Sequence, residues 1–73
     1  MSGYIQPKRT WAGKRRVSLR LEPEYWDALN EVAARRGLAT WTVLEQIEQK
    51  RGRKQFSSAV RVELLQAYRS APA

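Results

Sequence analysis

The sequence predicts a mainly α fold with one short β-strand, assembled as an intertwined homodimer with a two-stranded antiparallel ribbon, plus a third, C-terminal helix. Three observations carry this expectation. Residues 15–21, Arg-Arg-Val-Ser-Leu-Arg-Leu, alternate strictly, with Val17, Leu19 and Leu21 on one face and Arg16, Ser18 and Arg20 on the other, the period of a half-buried strand. Three later segments carry apolar stripes at helical spacing. The chain has 73 residues and neither Cys nor His, a size at which one core rarely suffices and at which disulfide and zinc staples are closed to it. A partner subunit is the remaining remedy. A lone strand also leaves its backbone donors and acceptors unpaired. Pairing with the same strand of a second copy resolves both problems.

The first 14 residues contain Gly3, Pro7 and Gly13 and show no periodicity, so they are expected to be a flexible basic arm. Tyr4 and Trp11 are unusual in such an arm, and either the domain or a nucleotide could receive them. The folded domain is expected over 15–70. Its first helix starts after Leu21-Glu22-Pro23, because Pro suits the first helical position. Leu21 and Trp26 have the spacing of a hydrophobic staple around Glu22. Trp26, Leu29, Val32 and Ala33 form its stripe. Arg35 and Arg36 suit its last turn, and Gly37 suits the left-handed residue that ends it. The second helix is expected from Thr40 as N-cap through Trp41 to Arg51, with Val43, Leu44 and Ile47 inside. After the basic loop Gly52-Arg53-Lys54-Gln55, a third helix is expected from Ser57 or Ser58 to Ser70, with Val60, Leu64, Ala67 and Tyr68 on one face. Residues 60–64 also alternate, but Leu65-Gln66-Ala67-Tyr68 favours helix. Ala71-Pro72-Ala73 is expected to fray. The core of the dimer is expected to be Val17, Leu19, Leu21, Trp26, Leu29, Val32, Val43, Leu44 and Ile47.

Composition then narrows function. The net charge is +7, and it is unevenly spread. Residues 1–20 hold Lys8, Arg9, Lys14, Arg15, Arg16 and Arg20 and no acid, while six of the chain's 7 acids fall between Glu22 and Glu48. A basic arm running into a strand with an Arg-x-Ser-x-Arg face points to a polyanionic partner. The commonest general base and the most reactive nucleophile are missing, so no enzyme is expected. No metal site or cofactor is expected either. Glu45 and Glu48 could pass for a paired carboxylate site, but without further ligands they read as a solvated face. No apolar run approaches the roughly 18 residues of a membrane span, and the start lacks a secretory pattern. The chain is therefore expected in the cytoplasm, on the nucleoid when bound to DNA.

The order strand, helix, helix within some 35 residues, with the joint Leu21-Glu22-Pro23-Glu24-Tyr25-Trp26-Asp27-Ala28-Leu29 and the later Ser57-Ser58-Ala59-Val60-Arg61, resembles the ribbon-helix-helix domain, and most closely a bacterial branch of it, over residues 15–69. Val17 departs from the Thr usual in that branch. The resemblance implies a homodimer whose antiparallel ribbon enters the major groove of double-stranded DNA, and a transcriptional regulator, most simply a repressor. Base contacts would come from Arg16, Ser18 and Arg20. Phosphate contacts would come from Lys14, Arg15 and the start of the second helix at Thr40, Trp41 and Thr42, and Lys8 and Arg9 could add to them. Thr40 is at least as readily a plain cap, and Trp41 more readily core or dimer interface. The alternative is a protein–protein module, antitoxin-like or otherwise, that engages a protein partner through the C-terminal helix. Non-specific RNA binding fits less well, because the outward strand face lacks stacking aromatics.

Overall fold

The computed structural model of the chain describes residues 6–70; Tyr4 and the Ala71-Pro72-Ala73 end lie outside the described residues. Two strands, β1 (Gln6–Ala12) and β2 (Arg15–Leu21), precede three helices, α1 (Pro23–Arg36), α2 (Thr40–Lys50) and α3 (Phe56–Ser70). The strands form a two-stranded antiparallel sheet. It lies on the helices, with β1 against α2 and β2 against α1 and α3. No helix among the described residues is long and apolar enough to cross a membrane.

β1 corrects the expectation of a flexible arm. Its residues pair in register with β2 from Gln6↔Leu21 to Ala12↔Arg15, so the ribbon is closed within one chain. The loop is Gly13-Lys14, and Gly13 has φ +65°, the positive φ that a two-residue hairpin turn needs at its first central position. The Gly13 N–H donates to the Trp41 carbonyl at 2.8 Å, which pins the turn to the first turn of α2. A Cβ on Gly13 would collide with the Glu45 carboxylate. Pro7 is tolerated because β1 is an edge strand.

The helices follow from their ends. Pro23 begins α1 behind Glu22, and Leu21 and Trp26 are both buried as the staple requires. At the other end Gly37 takes φ +66°. Its N–H donates to Ala34 at 3.1 Å, and that of Leu38 donates to Ala33 at 2.9 Å, the paired bonds of a Schellman stop. The N-cap of α2 is Ala39, not Thr40. The Ala39 carbonyl accepts from Thr42 and Val43 at 3.0 and 3.2 Å, whereas the Thr40 hydroxyl donates to Asn30 Oδ1 of α1 at 3.2 Å. Packing replaces the side-chain cap here: Leu38, against the core, and Val43, fully buried, stand at staple positions around Ala39. α2 ends at Lys50, one residue early, and α3 begins at Phe56, slightly before the serines.

The residues expected in the dimer core are buried within the one chain described. Leu19, Leu21, Trp26, Leu29, Val32, Val43, Leu44 and Ile47 are all buried there, joined by Ala12, Ala33, Ala59, Val60 and Leu64, with Val17 partly covered at the margin. The hairpin and α3 pack over this core. No side-chain polar atom among the described residues is buried without a partner.

Two consequences are testable. Gly37→Ala should cost about 1–2 kcal/mol, the left-handed backbone penalty, since nothing lies within 4 Å of its new Cβ. Gly13→Ala should cost more, because Glu45 must also move, and urea denaturation will rank the two. The second concerns the strand–helix joint, where Arg61 reaches Glu22 at 3.0 Å. The Glu22 carboxyl is held below its ordinary range chiefly by its own backbone N–H, against a smaller opposing effect of burial, with Arg61 helping. A depressed carboxyl stabilises above its unfolded value, about 4.3, and this stability is lost as pH falls through the folded value. The stability gap between the parent and Glu22→Gln should therefore narrow below about pH 4, as followed by thermal melts.

Candidate nucleic-acid interface

Residues paired across an antiparallel ladder share a face. On the helix side, Lys8, Thr10 and Ala12 stand opposite Leu19, Val17 and Arg15. On the outward side, Pro7, Arg9 and Trp11 stand opposite Arg20, Ser18 and Arg16. All six outward residues are exposed. The outer face of the hairpin thus carries three guanidinium groups, a hydroxyl and an indole, and no carboxylate. The Arg16 guanidinium lies over the Trp11 ring, 5.5 Å from its centroid. That contact suits a cation on an exposed strand, because the ring face attracts it without removing its charge.

The acids are elsewhere. Glu48 takes Arg15 at 3.4 Å and Arg51 at 3.2 Å. Glu63 takes Arg36 at 3.5 Å and Lys50 at 3.3 Å, joining all three helices. Glu22 takes Arg61, and Glu31 takes Arg35 at 3.8 Å. Such exposed pairs contribute little stability each, but they sort the charge. Arg35, Arg36, Lys50, Arg51 and Arg61 are matched, while no ion pair among the described residues engages Arg9, Lys14, Arg16 or Arg20 of the hairpin, nor Arg53, Lys54 or Arg69. Glu45 and Glu48 are not a free solvated face: the first lies against Gly13 and the second holds Arg15 and Arg51.

The residues expected to touch phosphate are brought near one another by the turn. Lys14 is exposed at its tip, directly after the bond from Gly13 to Trp41. The amides of Thr40 and Trp41 have no backbone acceptor among the described residues, as befits a helix start. Trp41 is 55% exposed. It is therefore not core in this chain. Thr42 is half-buried, with its N–H returned to Ala39. Arg15 stands on the helix side of the sheet, turned to Glu48, and so apart from Arg16.

Sequence reasoning placed Arg16, Ser18 and Arg20 together and overlooked the face that β1 adds beside them. The missing signal was hydrophobic alternation: the inward residues of β1 are Lys8, Thr10 and Ala12, and the Lys8 ammonium lies over the Trp26 ring at 5.0 Å. A signal did exist in Gly13-Lys14, a two-residue turn with Gly first, set between Thr-Trp-Ala and a clear strand. Elsewhere, α3 exposes Val62, Leu65 and Tyr68, and Leu65 and Tyr68 line an apolar groove with Tyr25 and Ala28 of α1.

Among the described residues no cluster of acids could hold a metal ion. Neither the curated proteins nor the solved structures that were compared with the chain gave a match. A family model for the ribbon-helix-helix domain matches residues 9–68. That span takes in half of β1, all of β2 and the helices up to Tyr68, and the chain belongs to the ribbon-helix-helix domain family.

Proposed function

We propose that the chain is a sequence-specific double-stranded DNA-binding regulator, acting as a homodimer and most simply as a repressor that occupies its operator. The observation that carries this reading is the outward face of the ribbon, where Arg16, Ser18 and Arg20 are exposed and unopposed by any carboxylate. Arg16 and Arg20 each suit a bidentate pair with guanine, and Ser18 suits several bases. Lys14 and the open amides of Thr40 and Trp41 supply phosphate contacts that fix register. Arg15 contributes to phosphate only by leaving Glu48. The protein works in the cytoplasm, where the chromosome of a bacterial cell is reached.

The dimer forms through β2. No backbone hydrogen bond of residues 15–21 goes beyond β1 among the described residues, so the far edge of β2 is open. The strand suits itself as partner. About Ser18, Val17 mirrors Leu19 and Arg16 mirrors Arg20, so a two-fold pair sets apolar against apolar on one face and Arg against Arg on the outward face. The groove of Tyr25, Ala28, Leu65 and Tyr68 belongs to α1 and α3, the helices under β2, and the second copy covers it too. Leu65→Glu should then halve the mass seen by light scattering at micromolar concentration. A parent chain that is already monomeric there rules out the dimer.

The DNA reading is tested by fluorescence anisotropy on a duplex selected by the protein from a randomised pool and on a scrambled duplex. Arg20→Ala should relax base preference by about 1–3 kcal/mol, or roughly 5- to 150-fold. Lys14→Ala should weaken both duplexes equally and flatten the salt dependence. Equal parent affinity for the two duplexes overturns sequence-specific reading.

A further inference from the structure

We infer that β1 is a working strand of the DNA interface, with Arg9 and Trp11 seated on the sugar–phosphate walls of the groove whose bases β2 reads. This rests on the DNA-binding dimer proposed above and adds to it a second row of contacts.

The first ground is what β1 leaves outside. Arg9 and Trp11 alternate outward with Pro7, beside Ser18 and Arg16 of β2. Arg9 is exposed and enters no ion pair among the described residues. Trp11 is 46% exposed and is covered on one side by the Arg16 guanidinium. An exposed indole next to an unpaired cation offers a ligand a flat apolar ring and an N–H donor beside a positive charge. β1 holds no acid that would repel phosphate.

Dimensions decide which part of the DNA it meets. Neighbouring strands lie about 4.8 Å apart. When β2 pairs with its symmetry mate, the sheet has the order β1, β2, β2 and β1, and its outer strands are roughly 14 Å apart. The major groove is only about 12 Å wide. The two central strands enter it and the two outer strands ride over its walls. Side chains two positions apart on a strand are separated by about 7 Å, so Arg9 and Trp11 spread along the backbone instead of converging on one base. Arg9 pairs with a phosphate, while the Trp11 ring packs on deoxyribose and its indole N–H is free to donate.

The test uses the full chain on the selected and scrambled duplexes across a salt series. Arg9→Ala should weaken both duplexes by the same factor, about eightfold per phosphate at 0.1 M salt, and reduce the log–log salt slope by about 0.9 per phosphate. Arg9→Lys should keep most of the slope, since Lys serves phosphate as a point charge. Trp11→Ala should weaken both duplexes without moving the slope; should it unfold the hairpin by circular dichroism, the two Arg9 variants still decide the matter. Unchanged affinity and slope in Arg9→Ala, with base preference still lost in Arg20→Ala, would leave the DNA reader standing and overturn the role of β1. A change of base preference in Arg9→Ala would put β1 inside the groove and overturn the wall assignment. Failure of the parent chain to bind either duplex would instead remove the DNA reading, and this inference with it.

Discussion

The arrangement of the outward face depends on one local constraint, the closure of the turn at Gly13. Its positive φ lets the chain reverse in two residues, and its N–H is spent on the Trp41 carbonyl at 2.8 Å. That single bond ties the ribbon to the start of α2. The two-residue turn sets the register in which Trp11 meets Arg16 and Arg9 meets Ser18. A slip of one residue would turn Arg16, Ser18 and Arg20 toward the helices and expose Leu19 and Leu21. The burial of those two leucines opposes the slip from below, and the turn opposes it from the end.

The distribution of acids complements this. A chain with 14 basic and 7 acidic residues cannot neutralise itself, so the question is which cations go without. Glu22, Glu31, Glu48 and Glu63 all sit where they meet Arg or Lys of the helices or of the inward side of the sheet. Glu63 alone links Arg36 and Lys50 across the helical body. Among the described residues the outer face and turn of the hairpin keep Arg9, Lys14, Arg16 and Arg20 outside any ion pair, and Arg53, Lys54 and Arg69 are left over as well. Net charge alone argues only for attraction to a polyanion; three exposed guanidinium groups on one ordered, acid-free face of the hairpin argue for a binding surface.

How legible this was varied with how each element is held. β2, the stop at Gly37 and the staple of Leu21 and Trp26 were readable because each couples a sequence pattern to burial of its own side chains. The alternation of residues 60–64 was an ambiguity that Leu64 and Ala67 settled, since helical spacing puts them on the face that packs on the core. β1 was not readable as a strand by periodicity, because it lies on α2 through Ala12 and Thr10 and shades Trp26 with the stem of Lys8, and none of these gives an apolar stripe. Thr40 was misplaced by one residue for a related reason: a Thr before a helical stripe is the usual cap, but Leu38 and Val43 fix the entry of α2 by packing, and the hydroxyl turns to Asn30. On the outward face of the hairpin, Arg16, Ser18 and Arg20 followed from alternation alone, while their neighbours Arg9 and Trp11 needed the pairing.

The core closed within one chain changes what a dimer would be for. With Leu19, Leu21, Leu29, Val43 and Leu44 already buried within one chain, the gain of the proposed pair would lie in pairing the open edge of β2 and covering Leu65 and Tyr68. In the proposed pair, Arg16 of one strand faces Arg20 of the other, and like charges set opposite each other destabilise a ladder. In the proposed complex, phosphates and guanine acceptors would relieve that repulsion, so DNA would stabilise the pair while the pair would double the contacts to DNA. By linkage the two equilibria strengthen each other. In the proposed dimer, a hairpin formed in cis and joined in trans would couple assembly to operator occupancy.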